Sequence, residues 1–220
     1  MMDYLGSERF DNVLTDELLV VAYEYNQAEP RFFSKYFSHE NPAKYDVIVG
    51  EATAASSAAP TYFDPKIGTN RYDQMEIQID GGIICNNPAM YAYQMARGLR
   101  GETKIRVLSL GTGEKTFTPI KTVNDYSKFD QLSKIGETMM NMDSYTAHWY
   151  LKNEYTHVEK EPEDYLRCQT SSNIGMDKVD KKSIEGLIAD GTKLYNENSE
   201  KLEKMIRTII DERWGPDSKK

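Results

Sequence analysis

Apolar and polar residues alternate through Met75, Glu76, Ile77, Gln78, Ile79 and Asp80, the two-residue period of a β-strand. The strand ends on Asp80 and meets Gly81-Gly82, where a backbone without side chains can turn tightly and admit close neighbours. Asn87-Pro88 then reads as a helix start, with a side-chain acceptor at the cap and proline at the first helical position. That helix is expected over residues 88–99. An aspartate at the end of a strand, beside a glycine turn, is a place where an acid can do chemistry.

Upstream, residues 18–25 are rich in β-formers and predict a buried strand. Residues 26–30 supply a turn, and residues 31–37 return as the second strand of a hairpin. A single helix is expected over residues 41–59, with Tyr45, Ile48, Val49, Ala52, Ser56 and Ala59 at helical spacing. Its second half has only small side chains, so another element can pack close, and Pro60 ends it. Residues 63–72 read as a loop.

Downstream, residues 105–110 predict a second buried strand. Strand, helix and strand in sequence suggest a parallel βαβ unit with a right-handed crossover. That topology would put Asp80 and the Gly111-Thr112-Gly113 loop on one carboxyl edge, where open α/β sheets bind ligands. Residues 114–127 read as a polar linker and residues 128–153 as a helix whose Met139–Met142 face belongs to a core. A short extended piece is expected around Cys168, then two amphipathic helices over residues 178–191 and 194–214. Residues 1–7 and 213–220 read as flexible tails.

Composition removes several function classes. A net charge of −8 without a basic patch argues against nucleic acid and against strong attraction to anionic lipid. No apolar run reaches the ~18 residues of a membrane span, and the acidic Met1-Met2-Asp3-Tyr4 start is not a signal peptide. Cys85 and Cys168 form neither a metal-ligand spacing nor a disulfide framework, which favours a reducing, cytoplasmic setting. His39, His148 and His157 are scattered among polar neighbours, and read as surface or packing residues rather than zinc ligands or a catalytic base. Glu114 separates Gly113 from Lys115, so the glycine loop is not a phosphate-binding Walker motif. Ser56 and Ser57 lie in a predicted helix without flanking glycines, unlike a strained nucleophile elbow.

Three blocks carry a resemblance: Ala58-Ala59-Pro60-Thr61-Tyr62-Phe63, Asp80-Gly81-Gly82 with Asn86-Asn87-Pro88, and Val107-Leu108-Ser109-Leu110-Gly111-Thr112-Gly113. Their order and spacing resemble the C-terminal half of the patatin-like phospholipase domain. The resemblance implies an α/β fold over residues 8–212: part of a three-layer α/β/α arrangement with a mostly parallel sheet, plus C-terminal helices. It implies a lipid acyl hydrolase of phospholipase A or acylglycerol lipase type, working in lipid catabolism through a Ser–Asp dyad and an acyl-enzyme, without a cofactor. The family's aspartate falls on Asp80 of the Asp80-Gly81-Gly82 turn. Asn86, Asn87, Gly111, Thr112 and Gly113 would line the site. The partner implied is a lipid substrate at a membrane or lipid-droplet surface, met by a cytoplasmic protein peripheral to it.

The family's serine lies in a Gly-x-Ser-x-Gly elbow upstream of the aspartate motif, and the sequence contains no such elbow. The expectation is therefore a fragment lacking the nucleophile and oxyanion glycines, inactive alone and poorly soluble for want of its leading strands. The alternative is a truncated, non-catalytic protein of the same fold that binds lipid or a partner. A Rossmann-like nucleotide binder would need the Gly-x-Gly-x-x-Gly fingerprint, which is missing.

Overall fold

The structure is a computed structural model that describes residues 6–70, 72–101, 103–114, 128–175 and 177–214. Nearly all of the expected 114–127 linker and the outer parts of both tails lie outside the described residues. The chain divides into two compact units, Met1–Pro88 with Leu132–Tyr145, and Ala89–Gln131 with Thr146–Lys220.

In the first unit, β1 (Val20–Glu24) and β2 (Glu29–Phe33) form the expected hairpin. The second strand stops at Phe33 rather than continuing to residue 37. Ser34 turns the chain there, its hydroxyl accepting the Phe37 N–H and capping α1 (Lys35–Glu40). The single helix expected at 41–59 is two, α2 (Pro42–Tyr45) and α3 (Val49–Ser56). The break falls at Asp46, whose carbonyl and carboxylate are both held by the Arg9 guanidinium at 2.8 Å. The predicted loop at 63–72 contains a strand, β3 (Lys66–Thr69), paired with β4 (Met75–Asp80). Its glycine and its brevity hide it from a periodicity argument; the Asn70 carboxamide closes the turn by accepting the Tyr72 and Gln74 N–H groups.

The strand order is β2-β1-β4-β3, with every pairing antiparallel. The expected mostly parallel sheet is realised in one pair alone among the described residues, β5 (Val107–Leu110) with β6 (Tyr165–Cys168) in the second unit. β4 and β5 therefore belong to separate sheets, and the predicted βαβ unit between them does not form. The architecture is mixed α/β.

The core of the first unit is Phe10, Ala22, Phe33, Val49, Ala52 and Ala55. The small residues of α3 let that helix lie close on β1, as the sequence suggested. Directly paired residues in antiparallel strands share a face, which puts Ala22, Arg31, Gln78 and Asp80 on the side facing this core. The polar residues of β4 are thus the inward ones: Glu76 and Gln78 are buried while Met75 is 56% exposed.

Arg31 makes that inversion tolerable. It is fully buried, donates to Glu76 Oε1 at 2.7 Å and to Gln27 Oε1 at 3.1 Å, and is ion-paired with Glu29. Glu24, also fully buried, accepts the Ile77 N–H at 3.0 Å. Gln78 Nε2 completes the set by donating to Glu76 Oε2 at 3.1 Å. Buried charges persist when each is paired and hydrogen-bonded in this way.

The first unit also holds α4 (Gly82–Cys85). In the second unit, α5 (Ala89–Arg100) packs through Tyr93 against Leu151 and Tyr155. α6 (Lys128–Asn153) contributes residues to both units as one helix. Its Met139 and Met142 are 61% and 54% exposed, so the face expected in a core is an outer one. The strand expected to be buried is only half so: Ser109 is inside, Leu110 is 66% exposed.

The two expected C-terminal helices are one, α7 (Lys181–Trp214), buried at Met205 against Leu166 and Cys168. Gly191 costs about 1 kcal/mol in a helix interior, too little to end it without a proline. The Thr192 hydroxyl stays within the helix by donating to the Ile188 carbonyl, and Lys193–Glu197 adds an exposed i,i+4 pair.

Arg31→Ala should cost about 3–5 kcal/mol in chemical denaturation at neutral pH, because it strands buried carboxylates. Arg31→Met combined with Glu76→Leu should recover most of that loss, since it removes both charges.

Candidate active site

Asp80 is the last residue of β4 and stands opposite Ala22 of β1. Its N–H donates to the Ala58 carbonyl at 3.1 Å, and the Gly81 N–H donates to the Ser56 carbonyl at 3.2 Å. The segment leaving α3 is thereby stitched to the end of the strand.

Both glycines are required by contact, not by angle. Gly81 has φ −71° and ψ −18°, open to any residue. A Cβ there would lie 2.1 Å from the Val21 carbonyl oxygen. At Gly82 a Cβ would lie 2.7 Å from Asp80 Oδ1, the oxygen that accepts the Gly82 N–H. The close approach of neighbours expected at this turn, here β1 and the carboxylate, is what selects glycine, and no left-handed backbone angle is involved.

Burial pushes the Asp80 carboxyl above its ordinary value, and the Gly82 N–H opposes the rise without cancelling it. Among the described residues, Oδ2 accepts no hydrogen bond. One carboxylate oxygen is anchored, and the other can take a proton.

The Asn86-Asn87-Pro88 turn follows α4. Asn86 is exposed, with its Oδ1 3.4 Å from the point a Gly82 Cβ would occupy. Asn87 is 3% exposed; its N–H donates to Asp143 Oδ2 at 3.2 Å and its Nδ2 to the Ser144 carbonyl at 3.4 Å. The helix beyond this turn runs over Ala89–Arg100, one residue later than expected. Cys85, buried beside Asp143, has its thiol pushed up to about 12 by burial and by that carboxylate, so it stays protonated.

Of the three histidines, His39 belongs to the same unit as Asp80; it is exposed and lies 3.1 Å from Asp11. His148 Nδ1 is 2.8 Å from the Tyr165 hydroxyl, and burial lowers its proton affinity. The Ser57 hydroxyl is turned back to the Thr53 carbonyl of its own helix.

Asp80, Gly81, Gly82, Asn86 and Asn87 are thus brought together within the first unit. Gly111, Thr112 and Gly113 belong to the second. There, Gly111 N–H donates to the Cys168 carbonyl at 2.9 Å, continuing the β5–β6 ladder, and Gly113 N–H donates to Gln169 Oε1 at 3.0 Å. Gly113 has φ +112°, a conformation that does need glycine.

Two contacts escaped sequence reasoning: Asp143 on the Asn86-Asn87 turn of the first unit, and Gln169 on Gly113 in the second. Gln169 carries no local signal. Asp143 carried one, a lone acid beside Met139, Met140 and Met142 on a helix. A cavity of about 300 Å³ in the first unit is lined by Val47, Glu51, Lys66, Ile67, Glu76 and Gln78, among others; Asp80 is not part of its lining.

A mixed α/β fold presenting a half-buried aspartate at a strand's carboxyl end is of the kind that performs acid–base or nucleophile-activating chemistry. No protein-family model matches the chain, whereas individual proteins do. It is 29% identical over 179 residues to patatin-like protein 2 of Arabidopsis thaliana, a match covering 77% of this chain and 40% of that protein. A cGAMP-activated phospholipase of Escherichia coli is 23% identical over 94% of this chain and 62% of its own length. The rabbit calcium-independent phospholipase A2-gamma is 26% identical over 74% of this chain and 20% of its own length. The chain is thus similar to part of these patatin-like and phospholipase proteins and spans less than two thirds of the length of each.

Gly81→Ala should lower stability by about 3 kcal/mol in denaturant melts, since the added methyl meets backbone that cannot step aside. Gly98→Ala in α5, where a Cβ meets nothing within 4 Å, should raise it by up to about 1 kcal/mol.

The raised proton affinity of Asp80 has a definite sign in stability. With the folded value above the unfolded one, its contribution is fully present below the ordinary aspartate value of 3.8 and is lost as pH rises through the folded value. Asp80→Asn should therefore raise the melting temperature at pH 7, and the gain should vanish near pH 3. A gain that persists unchanged at pH 3 would contradict this assignment.

Proposed function

We propose that this chain supplies the base-bearing portion of a serine-dependent lipid acyl hydrolase, with Asp80 as the base. The observation that carries the reading is the state of that carboxyl group. It is half-buried at the strand's end, its proton affinity is raised by burial, and one oxygen is tied to Gly82 N–H while the other is open. The phospholipase names of its relatives support a lipid ester as the substrate class.

In this mechanism a serine hydroxyl from a Gly-x-Ser-x-Gly segment attacks the ester carbonyl. Asp80 accepts the hydroxyl proton through Oδ2, with no histidine between them. The alcohol leaves after taking that proton; water then attacks the acyl-serine as Asp80 accepts its proton, and the acyl–Oγ bond breaks with that proton returning to the serine and the fatty acid released. A carboxylate of ordinary affinity is a weak base for an alcohol; burial at the strand end moves it toward the task. Asn86 and Asn87 are assigned to the wall and frame of the site. The setting assigned is cytoplasmic, peripheral to a membrane or lipid droplet. Among the described residues, no helix is long and apolar enough to cross a membrane.

A second reading, a non-catalytic lipid- or partner-binding protein of the same fold, is favoured by one observation: none of the 220 residues lies in a Gly-x-Ser-x-Gly elbow. The two readings separate in one experiment. The chain is joined to an upstream segment bearing that elbow from a patatin-like relative, and release of fatty acid from phospholipid vesicles is measured. Asp80→Asn should lower the rate by about 10²–10⁴-fold. Equal rates with and without the Asp80→Asn substitution, or no hydrolysis by either protein, would remove the enzymatic assignment.

A further inference from the structure

We infer that Asp143 is a positioning residue: its carboxylate fastens the Asn86-Asn87-Pro88 turn to α6 and thereby sets where Asp80 stands at the other end of α4. The inference deepens the reading above and takes only its catalytic meaning from it.

Two backbone N–H groups converge on this one carboxylate. Asn87 N–H reaches Oδ2 at 3.2 Å, and Asn86 N–H also bonds to the group. The next residue of α6 takes part too, its carbonyl accepting the buried Asn87 carboxamide at 3.4 Å. Three donors of one turn therefore end on two consecutive residues of a long helix. A carboxylate suits this role because its two oxygens can serve two amides at once, and charge strengthens each bond.

The turn is coupled to Asp80 through very little chain. A single helical turn lies between them, closed by Ile84 and Cys85 N–H groups donating to the Gly81 carbonyl at 3.0 and 2.9 Å. Upstream, Asp80 and Gly81 are clamped by the Ala58 and Ser56 carbonyls. Downstream, the far end of that turn is held by Asp143. With both ends fixed, the Asp80 carboxylate is held with Oδ1 on the Gly82 N–H. The effect is geometric rather than electrostatic, because burial and the Gly82 N–H are what set the proton affinity of Asp80. Asp143 meanwhile stays a half-buried acid whose own affinity is raised by burial and restrained by the two amides. A packing role alone would be served better by the methionines around it.

The test uses the 220-residue chain and needs no enzymatic activity. Amide exchange at Asn86 and Asn87 and the titration of the Asp80 carboxyl are followed by NMR in wild type, Asp143→Ala and Asp143→Asn. In Asp143→Ala the two amides should exchange about tenfold faster. The Asp80 midpoint should move down toward the ordinary value, because a released turn lets water reach the carboxylate. Asp143→Asn keeps one acceptor oxygen and nearly the same shape, so it should fall between the two; it also carries the test if the alanine variant does not fold. Asp211→Ala, an exposed acid on α7, should move neither readout. An Asp80 midpoint unchanged in both Asp143 variants overturns the inference, whether or not the amides speed up. Failure of Asp80→Asn to slow ester hydrolysis would leave these NMR results standing, so the two ideas fail separately.

Discussion

The contact between Gly81 and the Val21 carbonyl is the constraint on which the rest of this site depends. Backbone meets backbone with no room for a methyl group, so β1 and the end of β4 are held at a separation that only glycine permits. Asp80 and Gly81 give their N–H groups to the Ala58 and Ser56 carbonyls, which brings the end of α3 into place. The small side chains of Ala52, Ala55 and Ala58 follow from this: a helix and its exit must lie close enough for those carbonyls to reach. Strand end, helix exit and aspartate are one assembly, and none of its parts can be moved alone.

A second constraint lies a few residues upstream on β4. Its inward face is polar, and water is replaced there by Arg31 from β2, two strands away. Burying two glutamates is costly when they are alone and bearable when one arginine and several amides satisfy them. The arrangement also fixes register. A one-residue slip of β4 would send Glu76 outward and put Ile77 where the guanidinium sits. The polar interior thus selects one alignment of the strand whose last residue is Asp80.

The chemistry proposed for Asp80 rests on these two constraints rather than on unusual residues. An aspartate is an ordinary base until burial removes its solvent; a hydrogen bond to one oxygen restrains that gain but fixes where the carboxylate sits. Here the strand end removes the solvent, and the nearest amide takes the oxygen. Other reactive side chains are occupied otherwise: the Cys85 thiol is held protonated, and His148 is engaged with Tyr165. The relatives named as phospholipases share their likeness with this chain over parts of their length.

Local pattern was enough to establish several elements. The alternation from Met75 to Asp80 marked β4 to the residue, the hairpin was legible from its β-formers and turn, and Asp80-Gly81-Gly82 stood out as the chemically pointed stretch. These are short-range properties, written in neighbouring residues. What neighbours cannot encode is which face of a strand turns inward, since a period of two fits either choice. Arg31 decided that, from a distant part of the sequence. Long-range contact likewise placed β4 in an antiparallel sheet and cut the helix expected at 41–59 where Arg9 grips Asp46. The sequence by itself determined that an acid would stand at the end of this strand. Only the tertiary structure decided its surroundings, because burial and orientation come from groups that meet across space: the Val21 carbonyl packed on Gly81, and the Ala58 and Ser56 carbonyls at the exit of α3.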